Sequence, residues 1–197
     1  MGVPVNSVRG TGTAPGRIQT LIVMGVTILA IGGLSWIVTD GFNDGVTDVA
    51  IAGELGDPPK VGLPPTGFSG LNYDGQPVTL ATYAGKPLWL TFGASWCADC
   101  RAEAPDLEAV YEQYRGRGLN VLAVFINDPA PDISAYAKRA GLSFPIVADV
   151  SSKIAGAYRV LGIPTHIFVG ADGLIKEVKI GALSKDDMIR AVSAIVP

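Results

Sequence analysis

The feature that most constrains this chain is a pair of cysteines, Cys97 and Cys100, set just behind the apolar run PLWLTF (Pro87 to Phe92). A continuous apolar run of that length reads as a strand buried on both faces. A helix is expected to follow from about Cys97 to about Arg115, with Pro105 inside it as a kink. Cys97 then sits at a helix N-terminus, where unpaired backbone N–H groups and the macrodipole favour a thiolate. Three residues on, Cys100 returns to the same face within disulfide reach. The first thiol can attack a substrate disulfide and the second can resolve the mixed disulfide. Trp96 shields one side and offers a flat apolar contact to a partner. Zinc usually takes four ligands, and beside the two cysteines the chain holds one histidine, His166, so no metal site is expected. A buried inert pair is the remaining alternative. No cofactor is called for, because the dithiol itself holds the electrons.

The chain has 197 residues, 48% hydrophobic and 17% charged, which suits one globular domain beside an apolar segment. The net charge of −3 leaves no basic footprint for nucleic acid. Residues 1–17 read as a short cytoplasmic tail, rich in Gly and Pro. Residues 18–38 contain no charge and match the roughly 20 residues a transmembrane helix needs. Arg9 and Arg17 precede this run, while Asp40, Asp44, Asp48, Glu54 and Asp57 follow it before Lys60. The positive-inside rule therefore expects a single-pass anchor with the catalytic domain extracytoplasmic. A cleaved signal peptide ending near Ala50-Ile51-Ala52 and a buried core helix are the alternatives. Residues 39–65, acidic and closing in two Pro-Pro pairs, read as an extracytoplasmic linker.

The globular part is expected over 66–197. Phe68 to Leu71 and Pro77 to Leu80 flank a Tyr73-Asp74-Gly75 turn. Leu119 to Ile126 reads as a second buried strand, Ile133 to Ala140 as a helix, Phe144 to Ala148 as a strand and Ser152 to Tyr158 as a helix. Thr165 to Val169 and Leu174 to Ile180 form a hairpin about Ala171-Asp172-Gly173, and Lys185 to Ile195 a closing amphipathic helix. Strands alternating with helices and ending in a hairpin indicate an α/β sandwich with a central mixed sheet.

The segment from Phe92 to Pro105 (FGASWCADCRAEAP) resembles the active-site segment of thioredoxin-like proteins, most of all the membrane-tethered TlpA, ResA and CcmG/DsbE group. The resemblance spans about residues 62–197. Pro105 falls five after Cys100, at that family's helix-kink proline. Gly162-Ile163-Pro164-Thr165 is similar to its cis-proline loop, which faces the cysteines. Asp132 to Asp149 corresponds to the extra helix and strand of this group. A cis X-Pro bond there leaves the Ile163 backbone free to pair with an extended substrate. An ordinary strand-start proline is the plainer alternative.

The chain also departs from the family pattern. Thr91 stands where thioredoxin has a buried aspartate, and the dipeptide between the cysteines is Ala98-Asp99. Glu103 matches an acidic residue of the ResA-like proteins that tunes the thiols; a solvated surface glutamate is the alternative. His166 lies two after Pro164, and a lone strand histidine is more often packed than catalytic. Asp99 opposes a thiolate in the same first turn where the dipole favours one, so the couple leans toward a reductase.

The expected activity is thiol–disulfide oxidoreduction. Cys97 attacks, Cys100 resolves, Glu103 tunes, and Trp96, Ile163 and Pro164 dock the substrate. The resemblance implies protein substrates with thiols or disulfides, apocytochrome c among them, and an integral-membrane thiol reductant. Two rivals share some features. A peroxiredoxin-like peroxidase places a threonine or serine where this chain has Ala94. A Sco-type copper chaperone spaces its cysteines one residue wider.

Overall fold

The computed structural model describes residues 50–51 and 58–197. The expected tail (1–17), membrane span (18–38) and most of the linker (39–65) lie outside the described residues. Among the described residues, no helix is long and apolar enough to cross a membrane.

Strands β1 (Ala50–Ile51), β2 (Phe68–Leu71) and β3 (Pro77–Thr79) form a small antiparallel sheet in that order. Strand β1 falls within the range read as linker, and two residues carry no periodic signal from which a strand could be read. The β2–β3 turn is held by Asn72, whose Oδ1 accepts from the N–H groups of Asp74 (3.0 Å) and Gln76 (2.8 Å). A 3₁₀ turn, Leu80–Tyr83, then drops Leu80 into the core.

The main body follows as β4 (Leu88–Gly93), α1 (Ala98–Arg115), β5 (Asn120–Ile126), α2 (Ala130–Ala140), β6 (Ile146–Asp149), α3 (Lys153–Ala157), β7 (Thr165–Val169), β8 (Ile175–Ile180) and α4 (Lys185–Ser193). Its five strands are ordered β6-β5-β4-β7-β8. The β6, β5 and β4 pairings are parallel, and β7 and β8 join antiparallel, so the sheet is mixed as expected.

Alternation along each strand builds two separate cores. Trp89, Val121, Ala123, Phe125, Ile146 and Phe168 pack on one face with residues of α1, α2 and α4. Leu90, Phe92, Leu122, Val124, Val147 and Ile167 pack on the other with α3 and the small sheet. Every residue of β4 is buried, because helices cover both faces and leave no polar side for the strand to show. Each fully buried large apolar side chain contributes roughly 1.5–3 kcal/mol.

Two element starts differ from the sequence reading by more than one residue. Helix α2 begins at Ala130, three residues early, because Pro131 occupies its first turn, where a missing N–H costs nothing. Strand β6 begins at Ile146 rather than Phe144, since Pro145 has no N–H to give the sheet.

Candidate active site

The site lies where β4 ends and α1 begins. Cys97 is the N-cap of α1, with extended backbone (φ −74°, ψ 122°), and its sulfur accepts the Cys100 N–H at 3.2 Å. A side chain commonly caps a helix in this way; here a sulfur takes the place of the usual oxygen. Cys97 and Cys100 are disulfide-bonded, with Cα atoms 5.3 Å apart. The two cysteines are equally buried, each 7% exposed, so accessibility alone does not assign their roles. Their surroundings do differ. Cys97 receives the amide donor, and its Sγ lies 3.9 Å from the Ile163 carbonyl oxygen. Cys100 instead lines a cavity of about 20 Å³ shared with Glu103, Tyr136 and Pro164.

The loop before the cysteines is tied down from the turn after β5. The Asp128 carboxylate, 1% exposed, accepts from the Ser95 N–H at 2.5 Å and the Ser95 hydroxyl at 3.0 Å. Arg101 Nη1 donates to the Ser95 carbonyl at 3.1 Å, closing the loop from the helix side. Trp96 stays 55% exposed, its indole N–H donating to the Asn127 carbonyl at 3.3 Å. Asp128 and Ser95 were not read as site residues; nothing local to either marks a contact across 33 positions.

Opposite the disulfide, the Ile163–Pro164 bond is cis. The Thr165 hydroxyl donates to the Gly162 carbonyl at 2.6 Å, and the Pro164 carbonyl accepts from Gly181 N–H at 2.8 Å. Among the described residues, no backbone hydrogen bond engages Ile163, whose side chain packs on Ala94, Cys97 and Cys100. Pro164 itself is buried. The exposed part of this loop is Leu161, 91% exposed and not among the docking residues expected from sequence, with Ile180 of β8 (67%) beside Gly162.

Glu103 does not face solvent: it is 6% exposed, which overturns the surface-glutamate alternative. The signal was present in the chain. Positions 100, 103, 107, 110 and 114 follow a 3-4-3-4 spacing, and all five are buried in α1. Its Oε2 accepts the Leu183 N–H at 3.1 Å, from the loop before α4. Its Oε1 lies 3.4 Å from Nε2 of His166, which is fully buried. The β4–β7 register sets His166 beside Thr91, whose hydroxyl is 3.1 Å from Nδ1, and Trp89 donates its indole N–H to the same Nδ1 at 3.2 Å. Read from sequence as a packed strand residue, His166 is packed, and it also meets Glu103. Burial raises the Tyr136 phenol above its ordinary value; Arg101 and, more weakly, Arg139 oppose that rise, and Glu103 adds to it.

This arrangement suits thiol exchange: a helix-capped sulfur facing a proline loop, and a second sulfur beside a buried carboxyl. Residues 61–178 match the model of the AhpC/TSA family. The thiol-disulfide oxidoreductase ResA of Geobacillus kaustophilus is 34% identical over 118 residues, covering 60% of this chain and 68% of that one. The crystal structure of a thioredoxin-family thiol:disulfide interchange protein from Chlorobium tepidum superposes with a TM-score of 0.62 at 28% identity, covering 74% of this chain and 99% of that one. A secreted Mycobacterium tuberculosis disulfide oxidoreductase homologous to Escherichia coli DsbE gives 0.59 at 26% identity, covering 64% and 95%. The fold is thus thioredoxin-like, and the chain belongs to the AhpC/TSA family as a thiol–disulfide oxidoreductase similar to ResA and DsbE, with Cys97 and Cys100 as its Cys-x-x-Cys pair.

Proposed function

We propose that this oxidoreductase reduces disulfides in proteins outside the cytoplasm, held to the membrane by residues 18–38, with apocytochrome c among its targets. The observation that carries the reading is the disulfide at the start of α1, with the Cys100 N–H aimed at the Cys97 sulfur. That donor favours a thiolate on Cys97 in the reduced enzyme. The thiolate attacks one sulfur of the substrate disulfide and expels the other as a thiolate. Cys100 then gives its proton to Glu103 across the cavity they share and attacks the Cys97 sulfur. The second substrate thiolate departs, and the enzyme is left with the Cys97–Cys100 disulfide. Two electrons have passed to the substrate, and a membrane dithiol returns them.

Trp96 and Ile163 border the disulfide, and Leu161 stands exposed two positions before Ile163. An extended chain laid there can use the Ile163 backbone, which among the described residues makes no backbone–backbone hydrogen bond. The direction of flow rests on Asp99, exposed in the first turn, which works against the thiolate. A less stabilised thiolate means a more reducing couple. A peroxidase reading gains nothing from Ala94, which is fully buried against the two cysteines and offers no hydroxyl. The test is Cys100→Ser expressed as the full chain in a cytochrome c-producing bacterium. Mixed disulfides on Cys97 should form with extracytoplasmic proteins, apocytochrome c included. Capture of cytoplasmic proteins alone would refute the location.

A further inference from the structure

We propose that His166 is a positioning residue for the exchange: its Nε2–H holds Glu103 as a carboxylate beside Cys100, and Trp89 locks the imidazole in the tautomer that does so. The inference rests on the reading that Glu103 acts on the thiols. It begins with the indole. Trp89 Nε1–H can only donate, so Nδ1 of His166, 3.2 Å away, must accept. A neutral ring that accepts at Nδ1 bears its proton on Nε2. Among the described residues that N–H has no other partner, and it faces Glu103 Oε1 at 3.4 Å, longer than an ordinary hydrogen bond. A slight approach of α1 to the sheet would close it. Glu103 then has one donor on each oxygen, His166 on Oε1 and the Leu183 amide on Oε2, and its carboxyl plane cannot turn freely.

A purely packed residue would be placed differently. Position 166 faces the apolar layer of Trp89, Phe168 and the α1 stripe, where a branched aliphatic side chain would fill the space with no polar atoms to satisfy. A neutral donor favours the carboxylate over the acid form without cancelling its charge as a cation would. The two donors fix the plane of the Glu103 carboxyl group on the wall of the cavity it shares with Cys100.

The surrounding groups leave this pair as the local control. Cys100 on α1 and Tyr136 on α2 line the cavity with Glu103. From α4, Lys185 reaches outward to Asp106 at 3.8 Å. From β8, Lys179 is paired in register with His166, but its ammonium lies 2.8 Å from Glu177. Arg101 is turned to the Ser95 carbonyl. Trp89 and Thr91 of β4 do not titrate in this range.

His166 is the only histidine in the chain, so ¹⁵N-histidine labelling reports one imidazole. The folded enzyme should show the Nε2–H tautomer in both redox states, with ring resonances that move in Glu103→Gln. An Nδ1–H tautomer, or a ring that ignores Glu103→Gln, overturns the inference with no need for a histidine variant. The second arm is the pH profile of Cys97 alkylation in the reduced protein. His166→Phe should move it by roughly half a pH unit toward lower pH, and His166→Gln, which restores an N–H donor, should return it. In a Glu103→Gln background, His166→Phe should add no further shift. Loss of thermal stability in His166→Phe with an unchanged profile would leave a packing role only. A Glu103→Gln profile identical to wild type would refute the Glu103 reading itself, and this inference with it.

Discussion

Replacing Asp99 tests the proposed direction of electron flow. Asp99 is the second residue of α1, in its first turn two positions after the cap sulfur, and open to solvent. Two opposed effects act on a Cys97 thiolate. The Cys100 N–H, 3.2 Å from the sulfur, favours the anion by roughly 1.5–3 kcal/mol, as for hydrogen bonds to charged groups. An exposed like charge in the first turn opposes it by about 0.3–1 kcal/mol. The donor wins, so Cys97 remains the nucleophile, but Asp99 trims its advantage. Asp99→Asn removes the opposition, and Asp99→Lys reverses it, for a total of about 0.6–2 kcal/mol. For a two-electron couple, 30 mV corresponds to about 1.4 kcal/mol, so Asp99→Lys should raise the potential by roughly 10–40 mV, and Asp99→Asn by about half of that. The wild-type couple is expected at about −220 to −290 mV. Equilibration against glutathione buffers, read by alkylation and mass, measures all three proteins, and high salt should shrink the differences. A lower potential in Asp99→Lys would refute the electrostatic reasoning, and a wild-type value above about −160 mV would refute the reductase assignment.

Three further outcomes follow from particular contacts. Asp128→Ala should cost about 1–3 kcal/mol of stability, because the half-buried Ser95 donors lose their charged acceptor, and it should slow disulfide reduction; urea melts and insulin reduction measure both. Leu161→Asp should lower kcat/KM for protein disulfides while leaving reduction of a small aromatic disulfide nearly unchanged; equal losses would place Leu161 outside the docking surface. Burial raises the Asp149 carboxyl above its ordinary 3.8, so its ionised form costs stability at neutral pH, and that cost fades as pH falls through the raised value toward 3.8. The Tm of Asp149→Asn relative to wild type should therefore become more favourable from about pH 4 to pH 8, and a flat difference would refute the assignment.

Much of the architecture follows from local pattern. PLWLTF and LNVLAVFI are almost wholly apolar because both sheet faces are covered, and a strand with no polar side can be recognised without partners. The Cys-x-x-Cys pair is equally local: spacing and a helix start suffice to bring the sulfurs together. Burial of Glu103 was within reach as well, since it shares the helical stripe of Cys100, Leu107 and Val110. What surrounds those groups is not local. Trp89 meets His166 across 77 positions, Glu103 meets the Leu183 amide across 80, and Ser95 meets Asp128 across 33. Such pairs depend on which strands become neighbours and in what register, and a shift of one residue would turn His166 to the opposite core. The sequence by itself determined which sulfurs react and that they start a helix, because both are matters of spacing along the chain. Only the tertiary structure decided that a tryptophan and a histidine stand behind the carboxyl, because hydrogen-bond geometry is set by packing between distant segments.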